Sequence, residues 1–308
     1  MDEKLADKDA VESSSPICYK ELNVTAGKSK DSQTIKLISP ENADDFSDYI
    51  ALDERKSGKA IDLTADGAVI SERLSTLLDV GAGDEAVFKN ADGSEVTLKI
   101  SAVTEMYTGH FAFVSRDYYE QTVGEYNANA YLIRLNDRSS DNANAFANEL
   151  MKLDGVEGVV QNTTMISQIN IIVKSLNKIM GVLILVAAAL GVVILYNLTN
   201  INVSERIREL STIKVLGFFN KEVTLYIYRE TIVLTALGIL VGFLTGDWLY
   251  KYIITVVPPD EVMFNPALSA RAFVIPAVLI AAITAILGVI INRRLKNVDM
   301  LDALKSVD

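Results

Sequence analysis

Three runs of apolar residues dominate the C-terminal half of the chain, at about Ile179 to Leu198, Thr231 to Val256 and Ala272 to Ile291. Each approaches the ~20 residues that a helix needs to cross a hydrocarbon core, and their interiors carry almost no charge. A buried helix of a soluble protein is more often shorter and bounded by turn signals. The pattern predicts three membrane-spanning helices. The N-terminal half is patterned in shorter units. Ala68 to Ile70 is a β-type run, and Leu74, Leu77 and Leu78 fall at helical spacing within Glu72 to Leu78. Gly81 to Asp84 reads as a turn. Ala86 to Phe88, the turn Asn90 to Gly93, and Val96 to Val103 read as a hairpin, with Asp92-Gly93 supplying the positive φ that such turns need. Phe111 to Val114 and Ala130 to Leu135 predict further strands, Ala143 to Leu153 a helix, and Val156 to Val160 a closing strand.

These patterns divide the chain as follows. Residues 1–20, polar and carrying Ser13-Ser14-Ser15-Pro16, form a linker or entry segment, and residues 21–165 form a mixed domain. Residues 166–200 hold a juxtamembrane helix and the first span. A charged segment follows at 201–229, the second span at 230–256, a loop at 257–271, the third span at 272–292, and a tail at 293–308. Thr164 to Lys178 is mildly amphipathic and runs straight into the first span. As one continuous helix it would tie the domain rigidly to the membrane. In the second span Gly238, Gly242 and Gly246 recur at every fourth position, so they share a helix face where another backbone can approach closely. The alternative is that glycine is simply frequent in membrane helices.

Charge orients the spans. Up to residue 170 there are 16 Lys and Arg against 30 Asp and Glu, and beyond it 13 against 10. So acidic a domain argues against a nucleic-acid partner, since binding phosphates needs a basic face. The segment after the first span holds Arg206, Arg208, Lys214, Lys221 and Arg229, and the tail holds Arg293, Arg294, Lys296 and Lys305. The loop between the second and third spans carries Pro258, Pro259, Asp260 and Glu261 and no Lys or Arg before Arg271 at its end. Positive-inside counting places the charged segment and the C-terminus in the cytoplasm, and residues 1–170 outside. Lys174 and Lys178 run mildly against this. The predicted fold is therefore an α+β extracytoplasmic domain followed by an all-α membrane domain of three transmembrane helices. The opening residues Met1 to Lys8 lack the apolar core of a secretory signal, which predicts an upstream membrane helix in a longer protein.

The charged segment cannot lie within lipid and must project from one membrane face. Asn202, followed three residues later by Glu205, predicts a capped helix start. Ile207, Leu210 and Ile213 make a short apolar stripe, with Arg206, Glu209 and Lys214 on other faces, and Gly217 is placed to end the helix. A basic amphipathic helix could rest on anionic lipid, but Glu205 and Glu209 weaken that reading in favour of contact with a protein.

The string Glu205-Arg206-Ile207-Arg208-Glu209-Leu210, followed by Ile213-Lys214-Val215-Leu216-Gly217, resembles the signature of FtsX/MacB-type permeases of ABC transporters. Glu230 at the mouth of the second span, the glycine ladder and the tail run Val298 to Leu304 fit the same family pattern. Val69 to Glu72, Gly83-Asp84 and the following hairpin resemble the family's extracytoplasmic insert less specifically. Family permeases have one helix, an outer domain and then three helices, and this sequence has the last four of those parts. The resemblance implies that residues 205–217 form a coupling helix docked on a separate ABC ATP-binding subunit. Glu205, Arg206, Arg208, Glu209, Leu210 and Lys214 would supply contacts, with Arg206, Glu209 and Leu210 foremost and Gly217 setting the turn. Glu230, at a membrane border, would pair with a basic residue such as Arg229 or Lys214, or else be solvated in the headgroup region. A second permease half or a homodimer partner is implied as well, with ATP hydrolysis left to the partner subunit.

Other features carry little chemistry. Gly27-Lys28-Ser29 ends like a phosphate-binding loop, but Leu22 stands where that motif needs glycine. Cys18 is the single cysteine and His110 the single histidine, so neither an internal disulfide nor a multi-histidine metal site is possible. Beside Gly109, His110 reads as a turn residue, and Asp247-Trp248 as an interfacial anchor. No cofactor and no catalytic constellation is expected. Two further functions stay open on sequence: a transmembrane signalling scaffold controlling a cell-wall hydrolase, and a membrane-anchored sensor module without an ATPase.

Overall fold

A computed structural model of the chain describes residues 2–26 and 31–296. They form two compact units, Met1–Gln168 with Ile254–Asn265, and Ile169–Ile253 with Pro266–Asp308. Residues 27–30, which include Gly27-Lys28-Ser29, and the tail run Val298 to Leu304 lie outside the described residues.

The first unit is built on a seven-stranded sheet. Its elements are α1 (Asp2–Leu5), β1 (Val11–Ala26), β2 (Asp31–Pro40), β3 (Ala68–Ser71), α2 (Glu72–Leu78), β4 (Glu85–Lys89), β5 (Glu95–Thr104), β6 (His110–Phe113), α3 (Arg116–Thr122), β7 (Ala130–Leu135) and α4 (Ser140–Leu150). The strand order is β2-β6-β3-β5-β4-β1-β7, and β1 also pairs with β2, so six strands close into a ring. Alternation sets which face is buried. Ala86 and Phe88 on β4 and Val96, Leu98 and Ile100 on β5 point into the core, while Glu85, Val87, Glu95 and Lys99 point out. Ile35 and Leu37 of β2, Ile70 of β3 and Leu74 of α2 complete this core, each fully buried. Ile17, Ile38, Phe46, Val69 and Phe113 form a second apolar cluster.

The predicted hairpin, the strands at Ala68–Ser71 and Ala130–Leu135 and the helix Glu72–Leu78 are present. Several features differ from expectation, among them β2 and α3, which the pattern did not predict. Much of the stretch read as an entry segment belongs to β1, a 16-residue strand that pairs with β7 through its first half and with β2 through its second. Val156 to Val160 is irregular rather than a strand, and Val160 is 82% exposed. His110 is not in a turn; it opens β6 and is buried.

The Ile254–Asn265 segment belongs to this unit although it connects two apolar helices. Val262 pairs antiparallel with Thr108. The Gly109 N–H donates to the Glu261 carbonyl at 2.8 Å, and the Met263 N–H to the Tyr107 carbonyl at 2.9 Å. Arg73 on α2 donates Nε to the Asp260 carbonyl at 2.9 Å and Nη2 to the Asp260 carboxylate at 3.2 Å.

The second unit is helical. α5 (Asn162–Glu205) is one uninterrupted helix, so the amphipathic stretch and the first span are continuous. α6 (Ile207–Val215), α7 (Asn220–Val256) and α8 (Arg271–Lys296) follow. Val173–Glu205, Glu222–Val256 and Arg271–Arg293 are each long and apolar enough to cross a membrane. α7 and α8 meet closely where Gly288 faces the Tyr228 ring. A Cβ at Gly288 would lie 3.2 Å from that ring, and the Tyr228 hydroxyl donates to the Thr284 carbonyl at 2.8 Å. Nearby, Thr224 Oγ1 donates to Asn292 Oδ1 at 3.0 Å.

Candidate functional site

The charged segment between α5 and α7 is held by defined local chemistry. α5 continues through Glu205, so Asn202 is not a helix cap. Its carbonyl instead accepts the Arg206 N–H, and the break falls at Arg206, whose φ and ψ are −102° and 13°. α6 ends in a double bond pattern centred on Gly217, which has φ +95°. The Phe218 N–H donates to the Ile213 carbonyl at 3.4 Å and the Gly217 N–H to the Lys214 carbonyl at 3.1 Å. This is the Schellman closure, in which a left-handed glycine satisfies the last free carbonyls. α7 starts immediately, with the Glu222 carboxylate reaching back to the Phe219 N–H at 2.9 Å, half of a capping box.

The two faces of α6 divide the candidate residues. Leu210 is fully buried against Val223 and Tyr228 of α7 and Leu287 and Ile291 of α8, so it anchors α6 and is not available as a partner contact. That corrects the reading of its apolar stripe. Without the fold, a leucine facing its own protein cannot be told from one facing another. Glu205 and Glu209 are exposed and Lys214 half-buried. The Arg208 side chain lies outside the described residues. Arg206 binds the Glu230 carboxylate at 2.9 Å, which replaces the expected pairing of Glu230 with Arg229 or Lys214. Both partners of this ion pair are well exposed, at 40% and 48%. A double-mutant cycle on thermal unfolding is expected to give a coupling below about 1 kcal/mol.

The α6–α7 turn exposes a feature that sequence reading missed. Val215, Leu216, Phe218 and Phe219 are 66%, 73%, 52% and 76% exposed. The signal was available, because four large apolar residues flank a helix-ending glycine inside a charged segment. Gly238, Gly242 and Gly246 share a face of α7, and among the described residues nothing beyond the adjacent residues and local helix backbone would lie within 4 Å of a Cβ at any of them. On the same helix, Lys251 pairs with Asp247 at 2.7 Å. Among the described residues, no group of three or more His, Cys, Asp and Glu is placed to hold a metal ion. Cys18 is buried in the sheet core.

Residues 181–296 match the family model of the FtsX-like permease C-terminal domain. The match takes in little more than a third of the chain. It covers most of α5, the whole of α6 and α7, and α8 to its end, so the charged segment lies inside it. Solved structures similar to the chain include the extracellular domain of the noncanonic ABC-type transporter YknZ from Gram-positive bacteria. It has 13% sequence identity, covers 52% of this chain and 83% of its own, and has a TM-score of 0.30. Another is the periplasmic region of MacB from Actinobacillus actinomycetemcomitans, also at 13% identity, covering 54% of this chain and 78% of its own, with a TM-score of 0.31. No curated protein matches the chain. The matched region includes all or most of three helices long and apolar enough to cross a membrane. The α+β class of the preceding unit rests on its own strands and helices.

Proposed function

We propose that the chain is the permease subunit of an ABC-type transporter whose ATP hydrolysis is carried out by a separate subunit. On this reading the α6 segment faces the cytoplasm, residues 1–170 lie outside the cell, and ATP-driven motion of the partner enters through α6. The loop charges support that orientation, since Arg206, Arg208, Lys214, Lys221 and Arg229 fall on one side and Asp260 and Glu261 on the other. One observation carries the reading: a rigidly capped helix between two spans is fastened inward by Leu210 and presents Glu209, Leu216, Phe218 and Phe219 outward. Apolar side chains in a charged cytoplasmic turn gain most when a partner covers them. The inward anchor would pass a push on α6 to α7 and α8 rather than dissipate it in a loop. The chain would act with a second permease half or a second copy of itself.

The test is co-purification of the tagged full chain from native membranes. The wild type is expected to bring down an ATP-binding subunit in near-equal amount. Glu209→Lys combined with Phe219→Ser is expected to lose it while keeping normal expression and size-exclusion behaviour. Undiminished capture by that variant would overturn the proposed contact surface, and a wild-type preparation free of any ATPase would overturn the function.

A further inference from the structure

The Ile254–Asn265 segment pairs with the backbone just ahead of a buried group that no other feature explains. His110 is 2% exposed, and neither ring nitrogen has a hydrogen-bond partner among the described residues. Leaving an imidazole in that condition costs free energy in either form and costs far more when the ring is protonated, because a buried unpartnered charge costs more than a buried unpartnered dipole. The groups around it are known. Asp260 and Glu261 come from the segment and Arg73 from α2. β2 brings Lys36, whose ammonium lies 5.5 Å from the centre of the Phe111 ring. The next residue on α2, Glu72, is already held by both Arg55 donors at 2.7 Å. Glu105, ahead of β6, accepts from the Tyr107 hydroxyl. On β3, Ser71 turns its hydroxyl to the Phe111 N–H at 3.2 Å and leaves the imidazole unserved.

The contact itself is slight. It consists of two backbone hydrogen bonds, one antiparallel bridge and the grip of Arg73. Gly109 makes the backbone contact possible, because it sits at φ +77° and a Cβ there would fall 2.8 Å from the Phe111 ring. We propose that residues 259–263 are a proton-released strap, which closes over the neutral His110 ring and is freed when that ring takes up a proton. The direction follows from linkage. In the closed state burial pushes the His110 imidazole down from its ordinary range. Glu261 partly opposes this, Arg73 adds to it, and Asp260 opposes it. With the strap open, water reaches the ring and restores its ordinary value, about 6.5. The open state therefore binds more protons than the closed one. Closure is favoured above about pH 6.5 and weakens as pH falls below it. Only the physiological meaning, a response to acidity outside the cell, rests on the orientation proposed above, and the measurement below does not.

The test uses the full chain, carrying Cys18→Ser, in lipid nanodiscs. Nitroxides on Thr76→Cys in α2 and Phe264→Cys in the segment report their separation by pulsed dipolar spectroscopy, and both positions are exposed. A single narrow distance is expected at about pH 7.5, and a several-fold larger separated population at about pH 5.5, reversible on return. His110→Gln is expected to abolish the pH response, with His110→Phe as the non-titrating replacement where Gln does not fold. Arg73→Gln is expected to raise the separated population already at about pH 7.5, since it removes the ionic grip. An unchanged distance distribution between the two pH values overturns the proposal. So does a response that persists undiminished without His110, or an Arg73→Gln chain that stays closed.

Discussion

Gly67→Val is expected to destabilise the folded α+β unit strongly. A Cβ at Gly67 would lie 2.5 Å from the Lys99 carbonyl oxygen, 3.0 Å from the Ser101 amide nitrogen and 3.2 Å from the Ser101 Cβ. The first two are backbone atoms of β5, so no side-chain rotation relieves the overlap. Relief would require β3 to move away from β5 where Ala68 pairs with Ile100. That motion opens the core where Ala68, Ile70, Leu98 and Ile100 are all fully buried. β3 is only four residues long and has little pairing to spare. The expected cost is about 3 kcal/mol or more, beyond ordinary overpacking because the clash is with backbone. In a unit of this size that corresponds to a fall of roughly 6–12 °C in the midpoint of thermal unfolding. Circular dichroism of the purified chain, tracking loss of the β signal, measures it. A midpoint within about 2 °C of wild type would show that the strands accommodate the side chain.

Leu210→Ala is expected to loosen α6 from α7 and α8 at a cost of about 2–5 kcal/mol, the range for emptying a filled leucine site. Leu210→Lys should be worse, because the site is lined by Val223, Tyr228, Leu287 and Ile291 and would hold an unpaired ammonium. The measurement is protease sensitivity of the 206–219 segment in the purified full chain. Cleavage should rise strongly in both Leu210 variants and stay at the wild-type level in Glu209→Lys, whose side chain lies on the exposed face. Loss of a partner would therefore have opposite causes at neighbouring residues: loss of the scaffold at Leu210 and loss of the contact at Glu209. Wild-type resistance in Leu210→Ala would show that α6 is held by its caps alone.

The apolar helices were the most legible part of the chain, because twenty uncharged residues in a row have few stable destinations other than a bilayer or a deep core. The hairpin at Glu85–Thr104 was legible because one face is core and the other solvent, and its turn requires Asp-Gly chemistry. β1 was not. Pairing at three places with β2, β4 and β7, it gains its order from hydrogen bonds to partners distant in sequence, while Glu12, Ser13, Ser14, Pro16 and Lys20 blur its alternation. α3 was missed for a related reason: only Tyr118 and Tyr119 of its seven residues are buried, and its start depends on Ser115 accepting the Tyr118 N–H.

The candidate site divides in the same way. Local chemistry determined that a helix follows the first span, that Gly217 ends it, and that charge crowds its flanks, because caps and periodicity act within a few residues. Which face of that helix points inward depended on α7 and α8, which are remote in sequence, and this is why Leu210 became an anchor. The pairing of Arg206 with Glu230, the close approach at Gly288 and the burial of His110 near Asp260 and Glu261 were likewise decided by tertiary structure. Each depends on a distance between elements that folding alone brings together, whereas the spans and the capped helix follow from short-range hydrophobicity and backbone geometry that the sequence already contains.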